Sequence, residues 1–195
     1  MTDLSCHNKF CQELKICTRN RLCKACLRLQ LKPKQEIVFE RESNQVAIIN
    51  SGVIISIFLT NDGKQKSLEL LKIGSLLGTE NLFNNKGEQN SYMQALTLVN
   101  LCLFPVKVFE SFFQQNPDFA KAVLHATNHR LQKNLKRFLH MQISSSEEKV
   151  RFILEFLKEA KIDHSLLTHE DIALLADLNR VTVTRALKNI YQLNM

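Results

Sequence analysis

The stretch LLTHEDIALLADLNRVTVTRALKNIYQL, residues 166–193, decides the fold. Thr168 stands where a helix N-cap belongs, with Asp171 three residues later, and the apolar residues that follow predict a short helix. Asp177-Leu178-Asn179 predicts a tight turn, after which a second helix is expected from Val181 to about Tyr191. Two short helices joined by such a turn predict a helix-turn-helix.

The start of the second helix carries side chains that can read nucleic acid. Arginine can form two hydrogen bonds to guanine, and threonine can meet a phosphate or the methyl group of thymine. The side chains in this position are Arg180, Thr182, Thr184 and Arg185. A charged helix start could also serve solubility alone, but the net charge of +7 favours a polyanionic partner.

The composition predicts a globular protein of one ordinary domain or two small ones, with 195 residues, of which 45% are apolar and 23% charged. No apolar run is long enough to cross a membrane, and the first ten residues, MTDLSCHNKF, lack the apolar segment of a signal peptide. We therefore expect a cytoplasmic protein whose six cysteines are reduced. No catalytic triad, carboxylate pair or phosphate loop is evident, so an enzyme is not expected.

The rest of the chain divides by its patterns into three further segments. Residues 1–34 are basic and rich in cysteine, and we expect this arm to need a metal or a neighbouring domain to become ordered. Residues 35–116 consist mainly of short apolar runs separated by turn residues, which predict a β-sandwich or barrel. Asp62-Gly63 predicts a tight hairpin turn within it. A long helix is expected over 117–143, followed by the helix-turn-helix domain over 144–195.

The long helix carries a seam with the 4-3-4-3 spacing of a coiled coil. Its members are Thr127, Leu131, Asn134, Phe138 and Met141. We expect this seam to form a parallel homodimer in which the asparagine fixes the register, although packing against its own chain is the alternative.

The same helix carries only basic charges between Asp118 and Glu147. These are Lys121, Arg130, Lys133, Lys136 and Arg137. Such a run fits a solvated helix face and an anion-facing surface equally well.

In this order of segments, the chain resembles the Crp/Fnr superfamily over residues 11–193. The resemblance is carried by LT-x-E-D-I-A … N-R-x-T-V-T-R-x-L in the tail, and by IINSGVIISIF and LKIGSLLGTENLF further upstream. It implies an α+β fold with an N-terminal double-stranded β-helix of the jelly-roll type, a long dimerisation helix and a C-terminal helix-turn-helix. It also implies a transcription regulator that binds a palindromic operator as a homodimer, with RNA polymerase as a further partner and no membrane.

Two features of the tail depart from the family pattern. The residues that match the family's readers of the DNA half-site are Arg180, Val181, Thr184 and Arg185. Most members have glutamate where this chain has Val181, and valine cannot accept a hydrogen bond from cytosine. The sequence ends at Met195, before the family's β-hairpin wing, so the phosphate contacts of the wing are expected to be lost or supplied by a partner.

The sensor end does not match the members that bind cyclic nucleotides. In those members a glutamate follows the glycine that corresponds to Gly78, and an Arg-Ser pair grips the phosphate. This chain has Thr79 and Asn90-Ser91 at those positions. Because no cation would meet the phosphate, we expect no cyclic nucleotide to bind.

The resemblance is closer to the fumarate-nitrate reduction branch, which holds an oxygen-labile [4Fe–4S] cluster through three arm cysteines and one late in the β-roll. The segment YMQALTLVNLCLFP places the late ligand at Cys102, and CTRNRLC places two arm ligands at Cys17 and Cys23. The family spacing would put the remaining ligand at Leu14. Cys11 is therefore assigned as the fourth ligand, with Cys26 as the alternative.

Other uses of these cysteines stay open. Four thiolates can also bind zinc, and Cys6 or Cys11 could form a reversible disulfide with Cys102. Cys102, within an apolar run, could also be an inert core residue.

The sequence therefore predicts a regulator that responds to oxygen or redox state. The alternative is a zinc-dependent, thiol-based or other redox protein whose helix-turn-helix no longer binds DNA.

Overall fold

The structure is a computed structural model that describes residues 26–38, 44–79, 82 and 91–192. These residues form two compact units. The described part of the first unit lies within 26–56 and 70–131, and that of the second within 57–69 and 132–192.

The strands form two four-stranded sheets with the orders β1-β8-β3-β6 and β2-β7-β4-β5. Their bounds are Leu27–Leu31 (β1), Glu36–Ile37 (β2), Gln45–Ser51 (β3), Ile54–Leu59 (β4), Gln65–Leu71 (β5), Leu76–Leu77 (β6), Ser91–Ala95 (β7) and Val99–Pro105 (β8). Strands distant in sequence are neighbours in both sheets, as in a jelly roll. The predicted α+β fold with an N-terminal β-roll is confirmed.

In the part of the chain that the structure describes, five α-helices follow the strands. They are Val106–Gln115 (α1), Pro117–Ile143 (α2), Ser146–Glu159 (α3), His169–Ala176 (α4) and Arg180–Gln192 (α5), with a short 3₁₀ turn at His164–Leu166. The bounds of α2 coincide with those predicted for the long helix. None of the described helices combines the length and the apolar character needed to cross a membrane.

The sequence did not predict β1, which lies in the segment assigned to the arm. Leu27–Leu31 pairs antiparallel with β8, from Leu27 opposite Leu103 to Leu31 opposite Val99. Leu29 and Leu31 pack against the core, while Arg28 and Gln30, which alternate with them, are exposed. Five residues with this alternation are too few to distinguish from a basic arm by pattern alone. Residues 27–31 are therefore a strand of the roll, whereas the sequence assigned them to the arm over residues 1–34.

The core of the first unit lies on both faces of β3. Val46 and Ile48 pack on one side with the aromatic cluster Phe104, Phe109 and Phe119, whereas Ala47 and Ile49 pack on the other. All four β3 side chains are fully buried, which explains their continuous apolar run. The rings of Phe109 and Phe119 meet edge to face with their centroids 5.0 Å apart. This packing fixes α1 and the start of α2 against the β3–β8 pair.

The second unit contains the helix-turn-helix, and its local signals form as predicted. Thr168 accepts a hydrogen bond from the backbone N–H of Asp171, whose carboxylate accepts one from the backbone N–H of Thr168. Asp177 ends α4 in the left-handed region, with φ of 53°. The inward faces of α3, α4 and α5 are buried, and their members are Val150, Ile153, Leu157, Ile172, Ala173, Leu175, Ala176, Val183, Ala186, Leu187 and Ile190.

Two glycines in the left-handed region offer a matched test of the roll. A Cβ added to Gly52 would lie 2.3 Å from the carbonyl oxygen of Leu98, whereas a Cβ on Gly63 would meet nothing within 4 Å. We expect Gly63→Ala to lower the free energy of unfolding by about 1–2 kcal/mol, through backbone strain alone. Gly52→Ala should cost about 1–3 kcal/mol more because of the clash. Chemical denaturation of the two variants checks this, and equal losses would contradict it.

Candidate functional site

The first turn of α5 is fixed by contacts with the residues around it. The side-chain oxygen of Asn179 accepts a hydrogen bond from the backbone N–H of Thr182 at 2.8 Å, which caps the helix. The Arg180 guanidinium forms an ion pair with Glu170 at 3.1 Å, and both side chains are exposed. The start of the predicted recognition helix is therefore held in one place before any partner binds.

Thr184 is also held, by a residue that the sequence did not single out. Its hydroxyl donates to the carbonyl of Arg180 at 3.0 Å, and its oxygen lies 2.9 Å from Nδ1 of His169. His169 is the first residue of α4, so this contact joins the two helices of the motif. The sequence has no periodic pattern that predicts this contact, because only the folded turn brings the side chains of His169 and Thr184 together.

Two of the predicted recognition residues present free surfaces. Val181 has 59% of its surface exposed, and Arg185 is exposed one turn further along. Among the residues that the structure describes, none accepts a hydrogen bond from the Arg185 guanidinium or pairs with its charge. All five predicted residues, with Thr182 half-buried, lie in the first turns of α5. This helix start can therefore offer a cation, a methyl surface and hydroxyls to a base edge.

A second candidate site lies where β1 meets β8. The strand register pairs Arg28 with Cys102, and Cys26 lies two residues before Arg28. Both thiols are half-buried and pack against the aromatic cluster of the first core. Cys26 is therefore a close neighbour of Cys102, although the two are far apart in sequence.

The surroundings of Cys102 favour its thiolate. A hydrogen bond from the Cys26 thiol and the positive charge of Arg28 lower the pKa of Cys102 to about 7, against the opposing effect of burial. The thiolate is the form that attacks disulfides, binds metals and reacts with oxidants. A chemically competent thiol therefore lies at the position that the sequence assigned to the late ligand.

Only part of the predicted ligand set can be located. Cys6, Cys11, Cys17 and Cys23 lie outside the described residues, whereas Cys26, the alternative ligand, adjoins Cys102. Within the described ranges, no three His, Cys, Asp or Glu residues are grouped so that they could hold a metal ion. Cys26 and Cys102 could supply two of the four thiolates that a cubane cluster needs. The donor set fits such a cluster if the arm supplies the other two.

The low pKa of Cys102 predicts the pH dependence of its alkylation. Because folding lowers this pKa from 9.0 to about 7, the rate in the metal-free protein should rise with pH around a midpoint near 7. Cys26→Ala removes the hydrogen bond and should move the midpoint upward. Iodoacetamide labelling of the Cys102 peptide, followed by mass spectrometry, measures both profiles. A wild-type midpoint near that of the urea-unfolded chain would contradict this assignment.

The predicted dimer seam is only partly available on α2. Leu131 and Phe138 are 55% and 61% exposed, and Thr127 is exposed as well. Asn134 is half-buried and donates to the Glu69 carboxylate at 2.6 Å, so its amide is engaged within its own chain. Met141 is half-buried. Leu124, Leu131, Leu135 and Phe138 form an exposed apolar stripe on α2, which shares Leu131 and Phe138 with the predicted seam.

The basic run on α2 is not a uniform surface. Arg130 donates to the carbonyl of Leu76 at 2.9 Å. Arg137 is buried, with 8% of its surface exposed. Lys121, Lys133 and Lys136 are exposed. Neither a solvated face nor an anion-facing one describes the whole run, because two of its five cations serve contacts inside the protein.

Comparison with known proteins agrees with this architecture. Residues 28–116 match the cyclic nucleotide-binding domain family. FixK2 from Bradyrhizobium japonicum is 19% identical, with a TM-score of 0.70 over 87% of this chain and 86% of that chain. CLP, the c-di-GMP responsive global regulator of Xanthomonas campestris, is 16% identical, with a TM-score of 0.67 over 87% of this chain and 88% of that one.

A third similar structure is a mutant of CooA from Carboxydothermus hydrogenoformans. It is 17% identical, with a TM-score of 0.68 over 99% of this chain and 87% of that chain. No curated protein sequence matches this chain. Another similar structure is described as a regulator of the Crp/Fnr family, with a TM-score of 0.67. The chain therefore has the fold of the Crp/Fnr transcription regulators, and its residues 28–116 match the model of the cyclic nucleotide-binding domain family.

Proposed function

We propose that this protein is a DNA-binding transcription regulator that recognises a palindromic operator as a homodimer. The observation that carries the proposal is the first turn of α5, whose backbone is capped and whose Val181 and Arg185 side chains face outward. A helix start of this kind can enter the major groove and contact base edges. The charge of +7 adds a sequence-independent attraction to phosphate. RNA polymerase is the protein partner that such a regulator would affect.

The exposed stripe on α2 supports the proposed dimer. Leu124, Leu131, Leu135 and Phe138 lie on one side of a helix of 27 residues, and each is at least half exposed. A second copy of the same helix can cover this stripe in coiled-coil fashion. Two copies would then present two recognition helices, as a palindromic operator requires.

Selection of duplexes from a randomised pool tests the DNA-binding function. We expect enrichment of two-fold symmetric sequences whose half-sites are centred about one helical turn apart. Binding should weaken steeply as salt rises, because phosphate contacts release counterions. A pool that remains random after repeated rounds, for both aerobic and anaerobic protein, would leave the helix-turn-helix without a DNA-binding role.

We further propose that the cysteine site makes this regulator responsive to oxygen or redox state. A [4Fe–4S] cluster would be held by Cys102, Cys17 and Cys23, with Cys11 or Cys26 as the fourth ligand, and would supply an oxygen-labile redox centre. The adjacency of Cys26 and Cys102 favours Cys26 as the fourth ligand. Arg28, opposite Cys102, would offset part of the negative charge of the ligand set.

The same adjacency supports a second candidate that needs no metal. The Cys102 thiolate can attack a hydroperoxide, which forms a sulfenic acid and releases the alcohol or water. The Cys26 thiol then displaces water and forms a Cys26–Cys102 disulfide. The two thiols lose two electrons in total, and these electrons reduce the hydroperoxide. The pairing differs from those expected from sequence, which joined Cys102 to Cys6 or Cys11.

Anaerobic purification with iron and sulfide analysis separates these candidates. If the cluster forms, Cys102→Ser should lose its visible absorption and iron, whereas Cys6→Ser serves as the control and should retain both. Cys26→Ser and Cys11→Ser identify the fourth ligand, because the cluster should be lost only in the variant that lacks this ligand. A colourless, iron-free wild type would exclude the cluster. A Cys26–Cys102 cross-linked peptide after peroxide treatment would then support the disulfide.

A further inference from the structure

Arg137 is a buried cation in the second unit, and four of its hydrogen bonds reach two different elements. On β5, Nη1 donates to the carbonyls of Leu68 at 2.6 Å and Ser67 at 3.3 Å, and Nη2 donates to the Ser67 hydroxyl at 2.6 Å. On α4, Nη2 also donates to the carbonyl of Leu175 at 2.9 Å. A single guanidinium from α2 therefore joins the β4–β5 hairpin to the end of the first helix of the helix-turn-helix.

The position of the Leu175 carbonyl matters because it lies in the last turn of α4. The last carbonyls of a helix have no partner within it, and a cation there is also favoured by the helix dipole. Arg137 thus serves as an external cap for α4. Burial lowers the pKa of the guanidinium, and the carboxylates of Glu69 and Asp177 oppose that effect.

Two further contacts join the same elements. Lys66, on β5, forms an ion pair with Asp177 at 2.5 Å. Asn134, one turn before Arg137 on α2, donates to Glu69 at 2.6 Å. Asp177 is the left-handed residue that ends α4, and α5 begins three residues later at Arg180. The hairpin therefore holds the turn from which the recognition helix starts.

Solubility or general stability does not account for this arrangement. Removing a charge from water is unfavourable, and buried ion pairs are often replaceable by apolar residues without loss of stability. Nε of Arg137 has no hydrogen-bond partner among the described residues, so the site is not fully satisfied. Hydrogen bonds from a guanidinium are directional, whereas apolar packing is not. The hydrogen bonds of Arg137 therefore fix the distance between the β4–β5 hairpin and the end of α4.

We propose that Arg137 is a positioning residue for DNA recognition, which sets the recognition helix by fixing the α4–α5 turn to the β4–β5 hairpin. The DNA part of this proposal rests on the proposed function. Arg137 itself does not contact DNA.

The test compares Arg137→Met, which removes the charge but keeps a long side chain, with Lys136→Met on the exposed neighbour. Operator affinity is measured with the duplex that the wild type selects. Deuterium exchange is measured at the backbone amides of residues 177–183 and 65–69. We expect Arg137→Met to lose on the order of tenfold in operator affinity. Deuterium exchange should rise in both segments of Arg137→Met. Lys136→Met should leave the exchange unchanged and should lower operator affinity only as far as the loss of one charge does. Arg137→Lys should behave as Arg137→Met, because one ammonium cannot make the four bonds.

A double-mutant cycle distinguishes positioning from simple stability. Lys66→Met and Arg137→Met act on the same turn, so their effects on operator affinity should not add. Additive effects, or an Arg137→Met protein that binds the operator as the Lys136→Met protein does, would overturn the proposal. If no duplex is selected, the proposed function fails. Deuterium exchange at residues 177–183 of Arg137→Met then still tests the positioning role. Exchange equal to that of the wild type would overturn this role.

Discussion

Arg185→Ala should remove most of the protein's preference for its operator while leaving it folded. Arg185 is exposed on α5, and no described residue engages its guanidinium. Two hydrogen bonds to one guanine are worth about 1–3 kcal/mol of discrimination. A dimer loses such a contact in each half-site, so the operator affinity should fall by roughly 2–6 kcal/mol if the two contacts are independent.

The informative comparison is with another cation on the same helix. Lys188 is exposed on α5, less than one turn beyond Arg185, and Lys188→Ala removes the same charge. We expect it to weaken operator and scrambled duplexes equally, because a phosphate contact carries no sequence information. Fluorescence anisotropy with both duplexes at one fixed salt concentration measures the specificity ratio. An unchanged ratio for Arg185→Ala would show that α5 does not read bases through this residue.

Leu131→Glu combined with Phe138→Glu should convert the protein into a folded monomer with far weaker operator binding. Both side chains are more than half exposed on α2, so the carboxylates remain solvated in the monomer. In a coiled-coil dimer they would be buried against identical charges, which is unfavourable. Loss of bivalent binding should reduce operator affinity by about 10²–10⁴-fold.

Sedimentation velocity and circular dichroism check the two parts of this expectation. Lys133→Glu is the control, because it places a carboxylate on the same helix at an exposed position outside the apolar stripe. We expect the control to stay dimeric and the double variant to sediment as a monomer with unchanged helix content. A double variant that remains dimeric would place the interface on another surface of the protein.

Local features of this protein could be predicted from the sequence because their signals are local. The cap at Thr168, the turn at Asp177 and the inward face of α5 depend on residues a few positions apart, and all three form as expected. The range of α2 followed from Pro117 at its start and from the absence of Gly and Pro within it. The β-roll followed from short apolar runs between turn residues, although β1 was too short to be recognised.

The sites, in contrast, depend on contacts between distant segments. Cys26 adjoins Cys102 only because β1 pairs with β8, and that pairing gives the Cys102 thiol its low pKa. His169 meets Thr184 only across the folded turn. Asn134 and Arg137 look like seam and surface residues in the sequence, yet they bond to β5 and α4.

The sequence alone determined the order of the main elements and the inward face of α5, because helix periodicity, capping and turn chemistry act over a few residues. Only the tertiary structure decided which cysteine adjoins Cys102, which stripe of α2 is exposed and that Arg137 is internal. Each of these depends on strand pairing or on packing between elements far apart in the chain, and neither leaves a periodic signal in the sequence.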